Sequence, residues 1–575
     1  MKRVMFILLA YACFSLHAYS QVTLTGVVKN SNGELLTGAN VVLGGSFRGM
    51  SVGLRGEFSF SKLEKGEYQV ITSYVGYRDD TVSVTLNSDQ QIEIVLEPAR
   101  ILGEEVIVKA TRAGRKTPVS FSEIDETEIE RRNFGQDIPV LINQMPSVVS
   151  TTDAGNGVGY TGLRIRGTDL NRINVTINGI PLNDAESHGV FWVDLPDFAG
   201  STSNIQVQRG VGTSTNGAGA FGATINVQTN EINKKPYAEY NGAYGSFNTV
   251  KNTVTFGTGL MNDKFTLDGR LSKITSDGYI DRAWSDLKSF YLSGGYFSDK
   301  NILKFHITSG LEETYQAWWG VPKVRLENDL EGMMRYELHG LYTPDQTEHM
   351  INSDSRTYNY YTYDNEIDHY LQSHYQLHYS REINRNLYFN TALHYTRGKG
   401  YYEQERKDDG FSAYGLNNVT IGNEVIENTD LIRRRWLDNH FYGATYSLNY
   451  QHAGMDITLG GAWNQYDGKH YGNVIWAEFA PDDSYDHEWY RGTGLKTDFN
   501  VYAKAHYQVM PRLNLFADVQ YRGIRYDIEG IDNDLRDITM KGLDFDFLNP
   551  KLGAFYSLND QNEIYASFAT ANREP

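Results

Sequence analysis

Cysteine is nearly missing from this chain: the single one among 575 residues is Cys13. It lies within an export leader, so the remainder has no disulfide and no thiol chemistry. Basic residues are outnumbered, 53 Lys and Arg against 71 Asp and Glu, for a net charge of -18. That balance argues against nucleic acid as a partner, because phosphate binding needs a concentrated positive surface. Long apolar runs are also lacking. Beyond the leader no stretch of about 18 to 20 apolar residues occurs, so no helix spans a membrane. If the chain crosses a bilayer, it does so as a closed sheet, the other structure that satisfies every backbone group in lipid. There is no G-x-x-x-x-G-K-S/T, no H-E-x-x-H and no convincing catalytic triad. The expectation is therefore a protein that is not an enzyme, with no resident metal and no cofactor.

Tyrosine and glycine are present in quantity, 40 and 55 residues, and aromatics make up 13% of the chain. Such a sequence suits many antiparallel strands, including those of membrane barrels with aromatic girdles. The length predicts several domains. Residues 1–20 read as a secretory signal: Lys2 and Arg3, an apolar run from Val4 to Leu16, and Ala18-Tyr19-Ser20 as a cleavage site before Gln21. Residues 21–98 carry strand-like runs at Val22 to Val28, Asn40 to Leu43, Glu57 to Phe60, Glu67 to Tyr74 and Gln91 to Leu96. Their spacing, punctuated by Asn32-Gly33, Gly44-Gly45 and Lys65-Gly66, predicts a small β-sandwich.

Between 143 and 230, short strands alternate apolar with polar residues at Leu163 to Arg166, Ile173 to Ile177, Ile205 to Gln208 and Thr224 to Val227. Each is expected to have one dry and one wet face. The wet side carries Arg164, Arg166 and Arg209, which suits a unit held inside a hydrated cavity. Ahead of it, Ile138, Leu141, Ile142 and Met145 predict a brief helix with Asp137 as cap and Pro146 as stop. Two stretches, Gly157 to Gly162 and Gly217 to Gly222, fit G-x-G-x-x-G. Neither lies between a strand and a periodic helix, so dinucleotide binding is rejected, and the glycines are assigned to tight turns and close backbone approach.

From Tyr237 onward the strands lengthen. Phe499, Val501, Ala503, Ala505, Tyr507 and Val509 alternate with Asn500, Tyr502, Lys504, His506 and Gln508, one face for lipid and one for water. The pattern recurs at Leu371 to Tyr379, Leu387 to Tyr395, Tyr442 to Tyr450, Leu513 to Tyr521 and Ile564 to Phe568. Roughly thirteen segments reach the 9 to 11 residues of a transmembrane strand. Short turns at Ser298 to Asn301 and Asn559 to Asn562 contrast with long aromatic links near Glu312 to Asp364, Gly398 to Arg435 and Asp467 to Thr497, which predict outer loops.

Leu163-Arg164-Ile165-Arg166-Gly167, Asn178-Gly179-Ile180-Pro181-Leu182 and Ile205-Gln206-Val207-Gln208-Arg209-Gly210, in that order, resemble the plug domain of TonB-dependent outer-membrane receptors. Gly26-Val27-Val28, Gly38-Ala39-Asn40-Val41, Gly56-Glu57-Phe58, Gly66-Glu67-Tyr68 and Tyr74-Val75-Gly76-Tyr77 resemble the carboxypeptidase-regulatory-like domain that precedes many such receptors in Bacteroidetes-type bacteria. Gly53 departs from the usual pattern of that domain. The resemblance implies a mainly β chain: a sandwich at 21–98, a TonB-box region at 101–110, an α+β plug at 115–230 and an antiparallel transmembrane barrel at 237–575. Barrels of this family have 22 strands, so the chain is read as a fragment whose barrel is incomplete at its C-terminus.

The function implied is import of a scarce ligand across the outer membrane of a Gram-negative bacterium, a ferric siderophore or other iron chelate first, by TonB-coupled plug gating. A glycan or cobalamin importer of the same family, and a structural or adhesive barrel protein, stay open. The partners implied are the inner-membrane TonB complex, outer-membrane lipid and the ligand. The alternating stretch Ile101 to Ala110 resembles the TonB box, placed at Glu105, Val106, Ile107 and Val108, where a strand could add to a partner's sheet; a strand finishing the sandwich or opening the plug is the alternative. Arg166 and Arg209 match plug arginines that face wall carboxylates in the family. Candidate ligand contacts are His188, in the loop from Glu186 to Trp192, with Tyr315, Gln316, Trp318 and Trp319 and the cluster Tyr358 to Tyr363. Aromatics with a few polar groups suit a bulky amphipathic ligand, while an interfacial girdle is the alternative for each ring. Asp482, Asp483, Asp486 and Glu488 are weighed as a hard-cation loop against a merely solvated one. Asn549 to Leu552 faintly resembles a haem-receptor box without its companion motif.

Overall fold

The computed structural model describes residues 21–574 except 31–32, 47, 54, 75–76, 78, 97–111, 115–116, 215–220, 230–232, 453, 482–484, 511 and 560–561. The box residues Glu105, Val106, Ile107 and Val108, the leader, and Asp482 and Asp483 lie outside the described residues. The chain divides into two compact units, Met1–Glu104 and Glu105–Pro575.

The first unit is the expected sandwich. Val22–Asn30 runs antiparallel to Glu57–Leu63 and parallel to Gln90–Leu96, and a second sheet orders Gly49–Ser51, Asn40–Leu43, Gly66–Ser73 and Asp80–Leu86. Alternate residues of each strand, among them Leu24, Val28, Val41, Leu43, Val70, Leu86 and Ile94, fill one core. A side chain at Gly26 would overlap the ring of Phe58, its partner on the neighbouring strand of the same sheet. The strand Asp80–Leu86 was not among the expected runs, although Val82, Val84 and Leu86 alternate.

In the second unit a five-stranded sheet orders Ile180–Pro181, Ile173–Ile177, Ala223–Thr229, Thr202–Arg209 and Ser120–Asp125. The helix Glu126–Arg132 beside it was missed by hydrophobic periodicity, yet its polar signals are plain. Asp125 accepts from the Glu128 amide, Glu126 and Glu128 occupy the first turn, and Arg131 and Arg132 the last. The helix expected from Ile138 is only Ile138–Leu141, and Asp137 makes no side-chain cap. Ile138, Leu141, Ile142 and Met145 are nonetheless in the core. The expected wet face holds at Thr161–Ile165, where Arg164 is exposed, and fails in the five-stranded sheet. Asn174, Thr176, Gln206, Gln208, Thr224 and Asn226 are all buried. Four of them bond in pairs, Thr176 Oγ1 to Asn226 Oδ1 at 2.7 Å and Gln208 Nε2 to Gln206 Oε1 at 2.9 Å, while Thr224 Oγ1 and Asn226 Nδ2 are buried without a partner among the described residues.

Around this sheet run thirteen strands in one antiparallel sheet in chain order: Tyr237–Tyr244, Val250–Gly257, Phe265–Ser276, Ser285–Phe297, Asn301–Tyr315, Ile367–Asn384, Leu387–Gly410, Asn428–His452, Met455–Ala477, His487–Met510, Leu513–Gly530, Met540–Ser557 and Glu563–Ala569. Leu371, Leu377, Leu393, Leu515 and Val519 are exposed on the outer face, while His374, Asn390, Lys504, Asp518 and Gln520 are buried on the inner one. At one end the connections are short, at 298–300, 385–386, 453–454 and 511–512; at the other they are 277–284, 316–366, 411–427, 478–486 and 531–539. Two outer links are shorter than expected because the strands run on. Four consecutive strands have 24, 25, 23 and 24 residues, more than twice the roughly 9 to 11 that cross lipid, so they stand well above the bilayer. The link 316–366 is itself folded, with helices Lys323–Leu326, Leu330–Leu338 and Pro344–Asn352. Thr343 and Gln346 form a capping box, and Met333, Met350 and Tyr358 make a small core.

Candidate functional site

The plug is held to the wall by side chains that arrive at a few loops. Asp197 is the most enclosed of them. Its backbone is left-handed at φ 51°, which turns the carboxyl outward from the plug. There it meets Lys251 Nζ at 2.8 Å and Arg270 Nη1 at 3.4 Å, and accepts from Thr253 at 2.6 Å and Ser272 at 2.8 Å. Asn133 of the plug donates to it at 3.0 Å. Burial alone would raise its pKa; Arg270 and Lys251 with these hydrogen bonds outweigh burial and hold it at about 2. Glu186, on the loop above the sheet, is met by His470 Nε2 at 2.6 Å and by the hydroxyls of Tyr466 and Tyr526 at 2.8 Å each. Burial opposes ionisation here too, and the His470 contact and the tyrosine bonds more than offset it, so the carboxyl stays below its usual range. Nearer the short turns, Asp518 accepts from the Ser214 amide at 2.8 Å, and Lys551 donates to the Ser214 hydroxyl at 3.0 Å.

Glycine permits these approaches. Gly155 and Gly159 have φ of 81° and 90°, and a Cβ there would press on Tyr279 and Ser285 of the wall at 2.9 Å each. On the wall side, a Cβ at Gly310 would overlap the Asp194 carbonyl oxygen. Gly310→Ala is therefore expected to weaken plug seating by about 1 to 3 kcal/mol, the usual cost of overpacking. A lowered urea midpoint for plug release, with the barrel transition unchanged, is the measurement that checks it.

Above the plug, toward the long connections, aromatic rings and guanidinium groups line a mouth. Tyr160 of the plug is edge-on to Trp318 at 5.7 Å, and Trp318 is edge-on to Tyr402 at 5.5 Å. Arg435 lies over Tyr402 and Tyr490 at 5.2 and 5.9 Å, and Arg433 over Trp489 at 5.9 Å. These two arginines hydrogen-bond only neutral acceptors: Gln404 and Tyr414 for Arg433, Tyr490 and Asn533 for Arg435. Among the described residues neither is in an ion pair. Arg434, between them, points to the other face and pairs with Glu403 at 2.8 Å. Alternation along the strand thus delivers two cations to the mouth without a direct ion pair, with Asp409 reached from Arg433 only through the Tyr414 hydroxyl.

The residues singled out from sequence divide. Trp318 lines the mouth, and its indole N–H is buried without an acceptor. Trp319 is exposed and edge-on to Tyr360 at 6.2 Å. Tyr315 is buried and donates to the Tyr363 carbonyl at 2.7 Å; Gln316 is fully buried and donates to the carbonyls of Ile367 and Glu403 at 3.0 Å each. Both staple the base of the folded loop. His188, at φ 60°, borders a polar cavity of about 150 Å3 below the mouth, shared with Lys496, Asp498 and Arg522. Sites for drug-sized ligands span roughly 300 to 1,000 Å3, so this cavity is too small for a chelate. Burial, then Lys496 and Arg573, lower the His188 pKa to about 4. Its ring is uncharged at neutral pH, and its 4.0 Å approach to Glu574 is then no ion pair.

Arg209 donates to the Pro146 carbonyl at 3.0 Å and to Ser120 at 3.1 Å, and to Ser122, all within the plug. Arg166 is exposed, with φ 51°. Among the described residues neither faces a wall carboxylate. At Asp197 the charge contact has the carboxylate on the plug and the cations on the wall. Asp486 has φ 54°, and Glu488 pairs with Arg491 at 2.5 Å; no group of three or more acidic, His or Cys side chains among the described residues could hold a metal. Sequence reading missed Asp197, Arg433 and Arg435. The run Arg433-Arg434-Arg435-Trp436 in so acidic a chain was a usable signal.

Three family models match in succession: a CarboxypepD_reg-like domain over residues 24–108, the TonB-dependent receptor plug domain over 113–224 and the TonB-dependent receptor-like beta-barrel over 334–575. The chain is 25% identical over 264 residues to the TonB-dependent receptor SusC of Bacteroides thetaiotaomicron, covering 44% of this chain and 25% of SusC. It is 26% identical over 201 residues to the vitamin B12 transporter BtuB of Vibrio vulnificus, covering 35% of this chain and 28% of BtuB. Its matches thus span between a quarter and a third of these curated relatives. The fold is similar to that of the ferric-catecholate import receptor Fiu of E. coli, with TM-score 0.60, 16% identity, and coverage of 80% of this chain and 70% of that one. A plug sheet seated inside a long-stranded antiparallel barrel sheet, matched in order by the models for both parts, places this chain among the TonB-dependent receptors of the Gram-negative outer membrane.

Proposed function

We propose that this receptor imports a bulky anionic ligand, a ferric siderophore or related iron chelate, by TonB-coupled displacement of the plug. The observation that carries the reading is the pair Arg433 and Arg435, which stand among Trp318, Tyr402, Trp489 and Tyr490 with only neutral hydrogen-bond partners. A planar guanidinium stacked on rings and with no directly bonded carboxylate suits anionic oxygens on an aromatic or amphipathic ligand. In this scheme the ligand settles on Tyr160 and Trp318, and a partner in the periplasm pulls on the strand at Glu105 to Val108. The candidates His188, Tyr315 and Gln316 then act behind the ligand rather than on it.

The test is uptake of radioactive ferric complexes by cells with and without the complete gene, with the proton-motive force intact or collapsed. Loss of uptake in both the deletion and the de-energised cells is expected. Arg433→Gln with Arg435→Gln should weaken surface binding by about 1.5 to 3 kcal/mol per charged hydrogen bond lost, a factor of roughly 10 to 100 or more. Iron uptake unchanged by the deletion would reject the chelate and leave sugars and cobalamin as the ligands to try.

A further inference from the structure

The plug meets the wall at a second carboxyl, three residues before Asp197, and no cation answers it. Asp194 Oδ2 accepts from Gln372 Nε2 at 3.1 Å, and Glu312 of the wall, buried opposite Tyr370 on the adjoining strand, is a carboxyl neighbour of the same group. Beside them the Tyr160 hydroxyl of the plug donates to Asp368. Asp194, Glu312 and Asp368 are 4%, 1% and 8% exposed. The other titratable groups that reach this seam are Asp137, which accepts from Thr161 at 2.8 Å, Asp184 from the plug loop and Tyr370 from the wall. His369 turns its ring to Glu313 at 3.1 Å on the outer face. Among the described residues no Lys, Arg or His side chain pairs with any of the three carboxyls.

Buried carboxyl neighbours with no cation among them cannot all ionise, so protons must remain on part of the set. We infer that this side of the plug is seated through protons shared among Asp194, Glu312 and Asp368, so that proton loss, rather than the breaking of an ion pair, releases it. Burial, and then Asp368, push the Asp194 carboxyl well above its usual range, and burial lifts Asp137 to about 7. The sign follows. Seating raises the pKa, so the seated plug binds more protons than the released one. The stabilisation is therefore complete at pH values below the ordinary carboxyl range and is lost as pH climbs toward the raised value. At Asp197 the dependence is opposite, since its pKa is depressed.

The experiment is amide hydrogen exchange of the plug strand Ile173–Ile177 in the full-length receptor in outer-membrane vesicles, from pH 5.5 to 8.5, corrected for the intrinsic rate. Protection in the wild type should fall by about tenfold per pH unit for each proton released. Asp194→Asn should flatten that slope, and combining it with Glu312→Gln and Asp368→Asn should abolish it. Asp197→Asn should lower protection throughout and leave the slope in place. A wild-type protection that does not change with pH, or a slope that Asp194→Asn leaves undiminished, overturns the inference. The single variant decides the matter should the triple one fail to assemble.

Discussion

Deleting Glu105 to Val108 is expected to abolish energised uptake while ligand binding at the cell surface keeps its affinity. The argument is chemical. Glu105-Val106-Ile107-Val108 alternates in the manner of an edge strand, and such a segment is recognised by main-chain hydrogen bonds to a partner's sheet, with alternate side chains adding selectivity. The mouth residues Tyr160, Trp318, Tyr402 and Arg435 are held to one another across the plug loop, the 316–366 connection and the wall strands. Ile107→Pro makes a sharper version of the test, because proline removes one donor and one allowed strand geometry while leaving length and charge alone. Binding and uptake measured on the same cells separate the two functions. Uptake that survives both variants would sink the placement of the coupling strand.

Asp197→Ala should be the most damaging single change in the plug. Lys251 and Arg270 are 2% and 1% exposed at the side chain. Removing the carboxylate leaves two buried cations with no counter-charge, a situation that typically costs about 3 to 5 kcal/mol. Asp197→Asn keeps acceptors for Thr253 and Ser272 and should recover part of the loss. Lys251→Met in the Asp197→Ala background should recover more, since it removes one stranded charge. Plug release under urea, together with leakage of small antibiotics through the barrel, reads the effect. The contribution is present in full above the ordinary carboxyl range near pH 4 and fades as pH falls through about 2. Unaltered plug release in Asp197→Ala would show that the contact is ornamental.

Much of the architecture was legible because it rests on local alternation. The outward set Leu371, Leu377 and Leu393 and the inward set His374 and Asn390 follow from period-two patterning alone. So do the sandwich strands, whose buried positions are every second residue. Strand length was not legible. Above the lipid the outer faces of Leu387–Gly410 and Asn428–His452 turn to Arg397, Lys399, Tyr401 and Trp436, and a rule written for lipid stops there. The polarity of the plug contact was hidden for a different reason. Arg166 and Arg209 stand out in the sequence, whereas Asp197 acquires its meaning only from Lys251, Thr253, Arg270 and Ser272, which two other strands bring to it. The same holds for Asp194: whether a carboxyl is salted or protonated depends on a neighbour that strand order alone supplies.

The folded connection at 316–366 carries a consequence of its own. It has private capping, a private core of Met333, Met350 and Tyr358, and a base stapled by Gln316 to Ile367 and Glu403. A segment built that way is a cassette: its inside can be rewritten, or the whole exchanged between paralogues at the strands Asn301–Tyr315 and Ile367–Asn384, without shifting their register of Tyr315 opposite Ile367. Diversification of the outer face can thus proceed by module replacement, provided the contact of Trp318 with Tyr160 of the plug is kept.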